Sequence, residues 1–132
     1  MEEALLAADV VIFKEEKILL IKRKAQPFKG MWALPGGFVE KGETFEQAAY
    51  RELEEETNIK NVMLKRIGVF DEPDRDPREK RVITHGFIGI LEGREHIEPG
   101  DDAEETKFFN IENLPDIAFD HNKIIEKAKK IK

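Results

Sequence analysis

Residues 51–56 read Arg-Glu-Leu-Glu-Glu-Glu, a density of carboxylates that must be offset by solvent, by cations or by a metal ion. Their importance depends on where a helix would put them. At about 100° per residue, Phe45, Ala48 and Ala49 form an apolar stripe, and the same stripe continues as Glu52, Glu55 and Glu56. Glu54 points away from it, toward solvent. Carboxylates at i, i+3 and i+4 repel one another, burial makes each costlier, and a helix C-terminus is the unfavourable end of the dipole for negative charge. Arg51 lies about 100° around the axis from Glu52 and is expected not to neutralise all of these acids. A bound divalent cation would, and an oxygen-only ligand set suits Mg²⁺ or Mn²⁺ rather than zinc. The helix pattern alone equally allows a solvated acidic end, in a chain with 28 Asp and Glu residues.

The spacing around the helix separates those readings. Gly37, five residues, Glu43, seven residues, then Arg51-Glu52-Leu53-Glu54-Glu55-Glu56-Thr57-Asn58-Ile59 resembles the Nudix box, Gly-x5-Glu-x7-Arg-Glu-aliphatic-x-Glu-Glu-x-Gly-aliphatic. Chance agreement at the matched positions is on the order of 10⁻⁷ per starting point for this composition. Asn58 stands where the pattern has glycine. That position ends a helix in the left-handed conformation, which Asn tolerates better than other side chains. Ala33-Leu34-Pro35-Gly36-Gly37 and Leu20-Ile21-Lys22-Arg23 also look like the family, so the resemblance covers nearly the whole chain. It implies a Nudix-type α/β/α sandwich with a central mixed β-sheet, as a single domain over residues 1–132. It implies that Glu52, Glu55 and Glu56 hold Mg²⁺ or Mn²⁺, joined by the backbone carbonyl of Gly36 or Gly37. Arg51 and Glu43 are implied to be the pair that orients these glutamates.

The elements that must position this site can be read from local pattern. Ala7–Phe13 and Ile18–Arg23 are β-rich runs around the polar turn Lys14–Lys17, which predicts a hairpin. Gln26–Met31 is a loop, and Trp32–Val39, with Pro35, Gly36 and Gly37, a bent extended segment. Thr44–Thr57 is the helix, with Thr44 and Gln47 forming a capping box and Asn58 ending it. Val62–Phe70 and Arg81–Leu91 are longer strands flanking the charged loop Asp71–Lys80. Thr106–Ile111 is a short strand and Asp120–Ile131 a closing helix.

Composition limits the partners. The formal charge of -6 argues against stable nucleic-acid binding, which normally needs a basic surface. The chain has no cysteine, which excludes disulfides and thiolate metal sites. The apolar run Ala4–Phe13 is short and broken by Asp9, so no membrane association is expected and the protein is read as cytoplasmic. Assembly into a homodimer is compatible with the sequence.

The Asp71–Arg78 segment, then Val82-Ile83-Thr84, Phe87, Gly100-Asp101-Asp102-Ala103 and Ala118-Phe119-Asp120-His121, resemble the ADP-ribose pyrophosphatase branch. Arg75 and Arg78, with Arg23 upstream, are the candidate substrate-binding cations; a solvated turn with local ion pairs is the other reading of the first two. In the family a carboxylate of the Gly100–Glu105 loop can act as general base, which makes Asp102 and Glu104, with Glu105, candidates beside the box glutamates. Trp32 and Phe28 are read as base-stacking or core residues. His121 is expected to cap or pack near the last helix, and no role is assigned to His85. The expected reaction is Mg²⁺- or Mn²⁺-dependent attack of water on ADP-ribose, giving AMP and ribose 5-phosphate. The alternatives are a pyrophosphohydrolase for oxidised nucleoside triphosphates of the 8-oxo-dGTP type and a non-catalytic ADP-ribose sensor.

Overall fold

The structure, a computed structural model, describes residues 4–71, 81–92 and 103–132, the side chains of residues 103 and 104 excepted. The hairpin forms as β1 (Leu5–Lys14) and β2 (Lys17–Arg23), with Glu15 at φ 56 in its tight turn. The bent segment resolves into two very short strands, β3 (Trp32–Ala33) and β4 (Gly36–Phe38), separated by Pro35, which cannot donate to a ladder. Helix α1 (Phe45–Thr57) follows, then β5 (Lys65–Phe70), β6 (Val82–Ile90), β7 (Ala103–Asn110) and α2 (His121–Ile131).

Among the described residues these strands make one mixed sheet in the order β3-β2-β1-β6-β5, with β4 added to β1 and β7 to β2. β1 and β6 run parallel from Leu5↔Val82 to Phe13↔Ile90, while the other pairings are antiparallel. β1 and β2 pair only at the turn, at Phe13↔Ile18 and Lys14↔Lys17. Beyond it they diverge, β1 turning to β4 and β6 and β2 to β3 and β7. A cleft opens where they part.

Period-2 alternation along β1 feeds two cores. Ala8, Val10 and Ile12 pack with Ala48, Ala49 and Leu53 of α1, whereas Val11 and Phe13 pack with Ile124, Ile125 and Ala128 of α2. The sheet therefore lies between the helices, as the α/β/α reading expects. Asp9 shares the α2 face with Val11 and Phe13, an acid where the pattern calls for an apolar residue.

Several boundaries differ from the sequence reading by one to three residues, and three of them have a local cause. β5 starts at Lys65 rather than Val62; the chain before it is held instead by the Leu64 N–H, which donates to the Tyr50 hydroxyl at 2.8 Å. β7 starts at Ala103 rather than Thr106, because it pairs with β2 as far as Ala103↔Arg23 across a bulge. The supposed Gly100–Glu105 loop is thus partly strand. α2 begins at His121, and Asp120 at its N-cap makes no side-chain cap bond.

Candidate active site

Helix α1 is fixed at both ends by its own sequence. The Thr44 hydroxyl accepts from the Gln47 N–H at 3.0 Å, and the Gln47 side chain accepts from the Thr44 N–H at 2.9 Å. Asn58 takes φ 65 and donates its N–H to the Glu54 carbonyl, closing the helix as the box requires. Between these caps the buried face comprises Ala48, Ala49, Glu52, Leu53, Glu56 and Thr57. That arc is centred between Ala49 and Glu56 and ends at Ala48 on one side, which leaves Glu55 just outside it and corrects the sequence reading for one acid. Glu52 and Glu56 are buried, but Glu55 falls on the rim with a side chain 47% exposed. Glu54 faces solvent, as expected.

Because its guanidinium fork folds back across the helix, Arg51 bonds two of the three box acids, consistent with the expectation that it does not neutralise all of them. Nη1 donates to Glu52 Oε1 at 2.6 Å and to Glu55 Oε2 at 3.3 Å. Nε and Nη2 donate to both oxygens of Glu43 at 2.7 and 3.0 Å, and Nη2 to the Phe38 carbonyl at 3.0 Å. The bidentate bond from Arg51, helped by the Glu40 N–H, holds the Glu43 carboxyl below its ordinary range; Glu43 first and then Glu52 hold Arg51 firmly cationic. One arginine therefore links the loop acid Glu43 to two acids of the helix.

Gly36 and Gly37 meet the buried acids directly. The Gly36 N–H donates to Glu56 Oε1 at 2.7 Å. A Cβ on Gly37 would lie 2.6 Å from the Glu52 carboxyl carbon, and one on Gly36 would overlap the Asp9 carboxylate and the Ala8 carbonyl. Gly36 must be glycine for the strand to pass so close to the β1 backbone, and a side chain at Gly37 would displace the Glu52 carboxylate.

Glu52, Glu56, Gly36 and Gly37 line a cleft of about 370 Å³, which Asp9, His121, Arg23, Lys24 and Phe119 also line. Arg23 lies over the Phe119 ring at 5.0 Å while its Nε donates to the Pro27 carbonyl at 2.7 Å. Asp9 and His121 form a buried pair, Nε2 to Oδ2 at 3.2 Å, and His121 Nδ1 accepts from the Leu34 N–H at 3.0 Å. The sequence reading missed Asp9 as a site residue. Its signal was visible, an acid inside a β-rich apolar run, but its partner is remote in the chain.

Hard oxygen donors on a wall that no Cβ obstructs are the chemistry that Mg²⁺ or Mn²⁺ takes. Glu52 and Glu56 face the cleft, whereas Glu55 is bonded to Arg51 on its rim. Among the described residues no three acidic or histidine side chains yet converge on one point.

Of the other candidates, Arg75, Arg78 and Asp102 lie outside the described residues, and Glu104 lies in β7 with its side chain outside them. Glu105 is exposed on β7 and does not line the cleft. Trp32 packs edge-to-face on Phe109 at 4.8 Å, and Phe28 on Phe119 at 4.7 Å, so both serve packing.

Comparison with known proteins agrees with this geometry. The NUDIX domain family matches residues 4–128. An ADP-ribose pyrophosphatase of Methanocaldococcus jannaschii is 54% identical over 120 residues, covering 91% of this chain and 70% of that protein. A MutT/nudix family protein from Enterococcus faecalis superposes with a TM-score of 0.91 at 33% identity, over 99% of this chain and 62% of that one. A bifunctional NMN adenylyltransferase/ADP ribose pyrophosphatase from Francisella tularensis, complexed with AMP and a manganese ion, gives 0.86 at 34% identity, over 99% of this chain and 42% of that one. This chain spans less than two thirds of either solved chain.

Proposed function

This chain belongs to the NUDIX family, and from that premise we propose that it hydrolyses the diphosphate of ADP-ribose to AMP and ribose 5-phosphate, using Mg²⁺ or Mn²⁺. The observation that carries the reading is the cleft, where buried Glu52 and Glu56 share one space with Arg23 and Lys24. Acids suit the cation and basic side chains suit the diphosphate. The ADP-ribose pyrophosphatase from M. jannaschii, at 54% identity, supports the choice of substrate.

In the proposed site Glu52, Glu55 and Glu56 hold the metal. When bound, it would neutralise phosphate oxygens and lower the pKa of the attacking water. The chain's own residues do the rest. Arg51 and Glu43 fix the direction of Glu52, and the Gly36 N–H fixes Glu56. Gly37 leaves the space beside Glu52 open. Arg23 and Lys24 draw the diphosphate in. A carboxylate, either a box glutamate or Asp102 or Glu104, takes the water's proton. An oxygen–phosphorus bond forms to water as the bridging phosphorus–oxygen bond breaks, leaving two monophosphates.

A panel of ADP-ribose, 8-oxo-dGTP and ordinary nucleoside triphosphates, incubated with Mg²⁺ and resolved by chromatography, tests the choice of substrate. ADP-ribose is expected to give the highest kcat/KM, with AMP and ribose 5-phosphate as products. Clearly higher efficiency on 8-oxo-dGTP would replace this reading with that of a nucleotide-pool enzyme on the same site.

A further inference from the structure

We propose that His121 is a positioning residue of the cleft: as the neutral Nε2–H tautomer it clamps Asp9 to the Leu34–Gly36 segment and so fixes the Gly36 N–H against Glu56. The hydrogen bonds determine the tautomer. Nδ1 accepts from the Leu34 N–H at 3.0 Å and therefore carries no proton. The ring's one proton lies on Nε2, directed at Asp9 Oδ2 at 3.2 Å. A flipped ring would present carbon to both partners, and an imidazolium would present N–H to N–H at Leu34. With His121 at 6% and Asp9 at 7% exposure, either error would leave buried polar groups without bonds.

The clamp reaches the acids through short links. Asp9 pairs with Gly36 in the β1–β4 ladder, and its carboxylate fills the space where a Gly36 side chain would be. Leu34 stands two residues before Gly36, whose N–H donates to Glu56 Oε1 at 2.7 Å. The chain entering α2 is itself anchored, since the Ala118 N–H donates to the Trp32 carbonyl at 2.8 Å. His121 thus ties α2 to β1 and to the β3–β4 connection, which leads directly into Gly36, the donor that orients a buried acid of α1. Outer partners of this kind typically change activity about 10- to 100-fold when removed.

The proposal rests on the hydrolase reading only for its kinetic consequence, so the experiment has two arms. ¹⁵N NMR of the intact chain at neutral pH reads the His121 tautomer and the Gly36 amide without any substrate. Wild type should show protonated Nε2 and bare Nδ1. His121→Asn keeps an acceptor near Leu34 but loses the donor to Asp9; His121→Gln keeps the donor but loses the acceptor. In both, the Gly36 amide proton should shift upfield, and kcat for ADP-ribose should fall about 10- to 100-fold with KM within about twofold. Asp9→Asn keeps an acceptor oxygen for Nε2–H and should leave the protonated Nε2 and the Gly36 amide as in wild type. A wild-type ring protonated on Nδ1, or a Gly36 amide unmoved in both folded variants, overturns the clamp. So does a Gly36 amide displaced in Asp9→Asn, because an acceptor for Nε2–H would then not suffice to hold it. Should wild type hydrolyse nothing, the spectroscopic arm still decides the clamp while the hydrolase reading fails separately.

Discussion

A single methyl group at Gly37 would fall 2.6 Å from the carboxyl carbon of Glu52, closer than packed atoms allow. Gly37→Ala must therefore turn Glu52 or push the strand from the helix. The expected result is a loss of about tenfold or more in kcat/KM with the circular dichroism spectrum retained; unchanged kinetics would mean that Glu52 has room to spare. Glu43 gives a pH signature. Arg51 and the Glu40 N–H hold its carboxyl below the ordinary value of 4.5, so the folded protein binds that proton less readily than the unfolded chain. The resulting stability is present above about pH 4.5 and is lost as pH falls through the lowered pKa. Melting temperature should thus fall more steeply on acidification below that pH in wild type than in Glu43→Gln; parallel curves would remove Glu43 from the accounting. At this scale the box residues were legible because their spacing is local. Asp9 was not, because its meaning depends on a ring contributed by the last helix.

Helix α1 carries the acids, and its two caps are the cheapest places to loosen it. Thr44→Ala removes one half of the capping box and should cost about 1 kcal/mol of unfolding free energy, with Asn58→Gly nearly neutral. Asn58→Val, forced to φ 65, should cost roughly 1–2 kcal/mol. Denaturant midpoints check all three, and equal midpoints would show that tertiary packing alone defines the helix. The start, stop and register of α1 could be read from sequence because capping and amphipathic period are short-range rules. Its buried arc could not be placed closely enough to see that Glu55 lies on the rim, since the arc is set by how α1 sits on β1 and β4. The early start of β7 escaped for a similar reason. Ala103-Glu104-Glu105 has little strand propensity of its own and is extended by pairing with β2. Leu34 and His121 are 87 positions apart, so no local pattern could join them.

At the scale of the molecule, the split between β1 and β2 makes a cleft that α1 supplies with acid and β2 with base, on a chain whose formal charge is -6. Acids held together without a metal repel one another, so a cation that binds only the folded state should stabilise it by mass action. At about 100 times its Kd, Mg²⁺ should add about 2.7 kcal/mol, a rise of roughly 10 °C in Tm. An unchanged Tm, under conditions that support turnover, would mean that the metal arrives only with substrate. The mixed sheet between two helices was legible from the box and the alternating strands. The cleft was not, because it is made by the divergence of paired strands rather than by any one segment. The most direct test of the account is turnover of ADP-ribose with Mg²⁺ by Glu56→Gln beside Glu54→Gln, both confirmed folded. Glu56 is buried at the cleft and bonded to the Gly36 N–H, while Glu54 faces solvent on the same helix. The account predicts that Glu56→Gln loses most activity and Glu54→Gln keeps wild-type rates. Wild-type turnover by Glu56→Gln would contradict it.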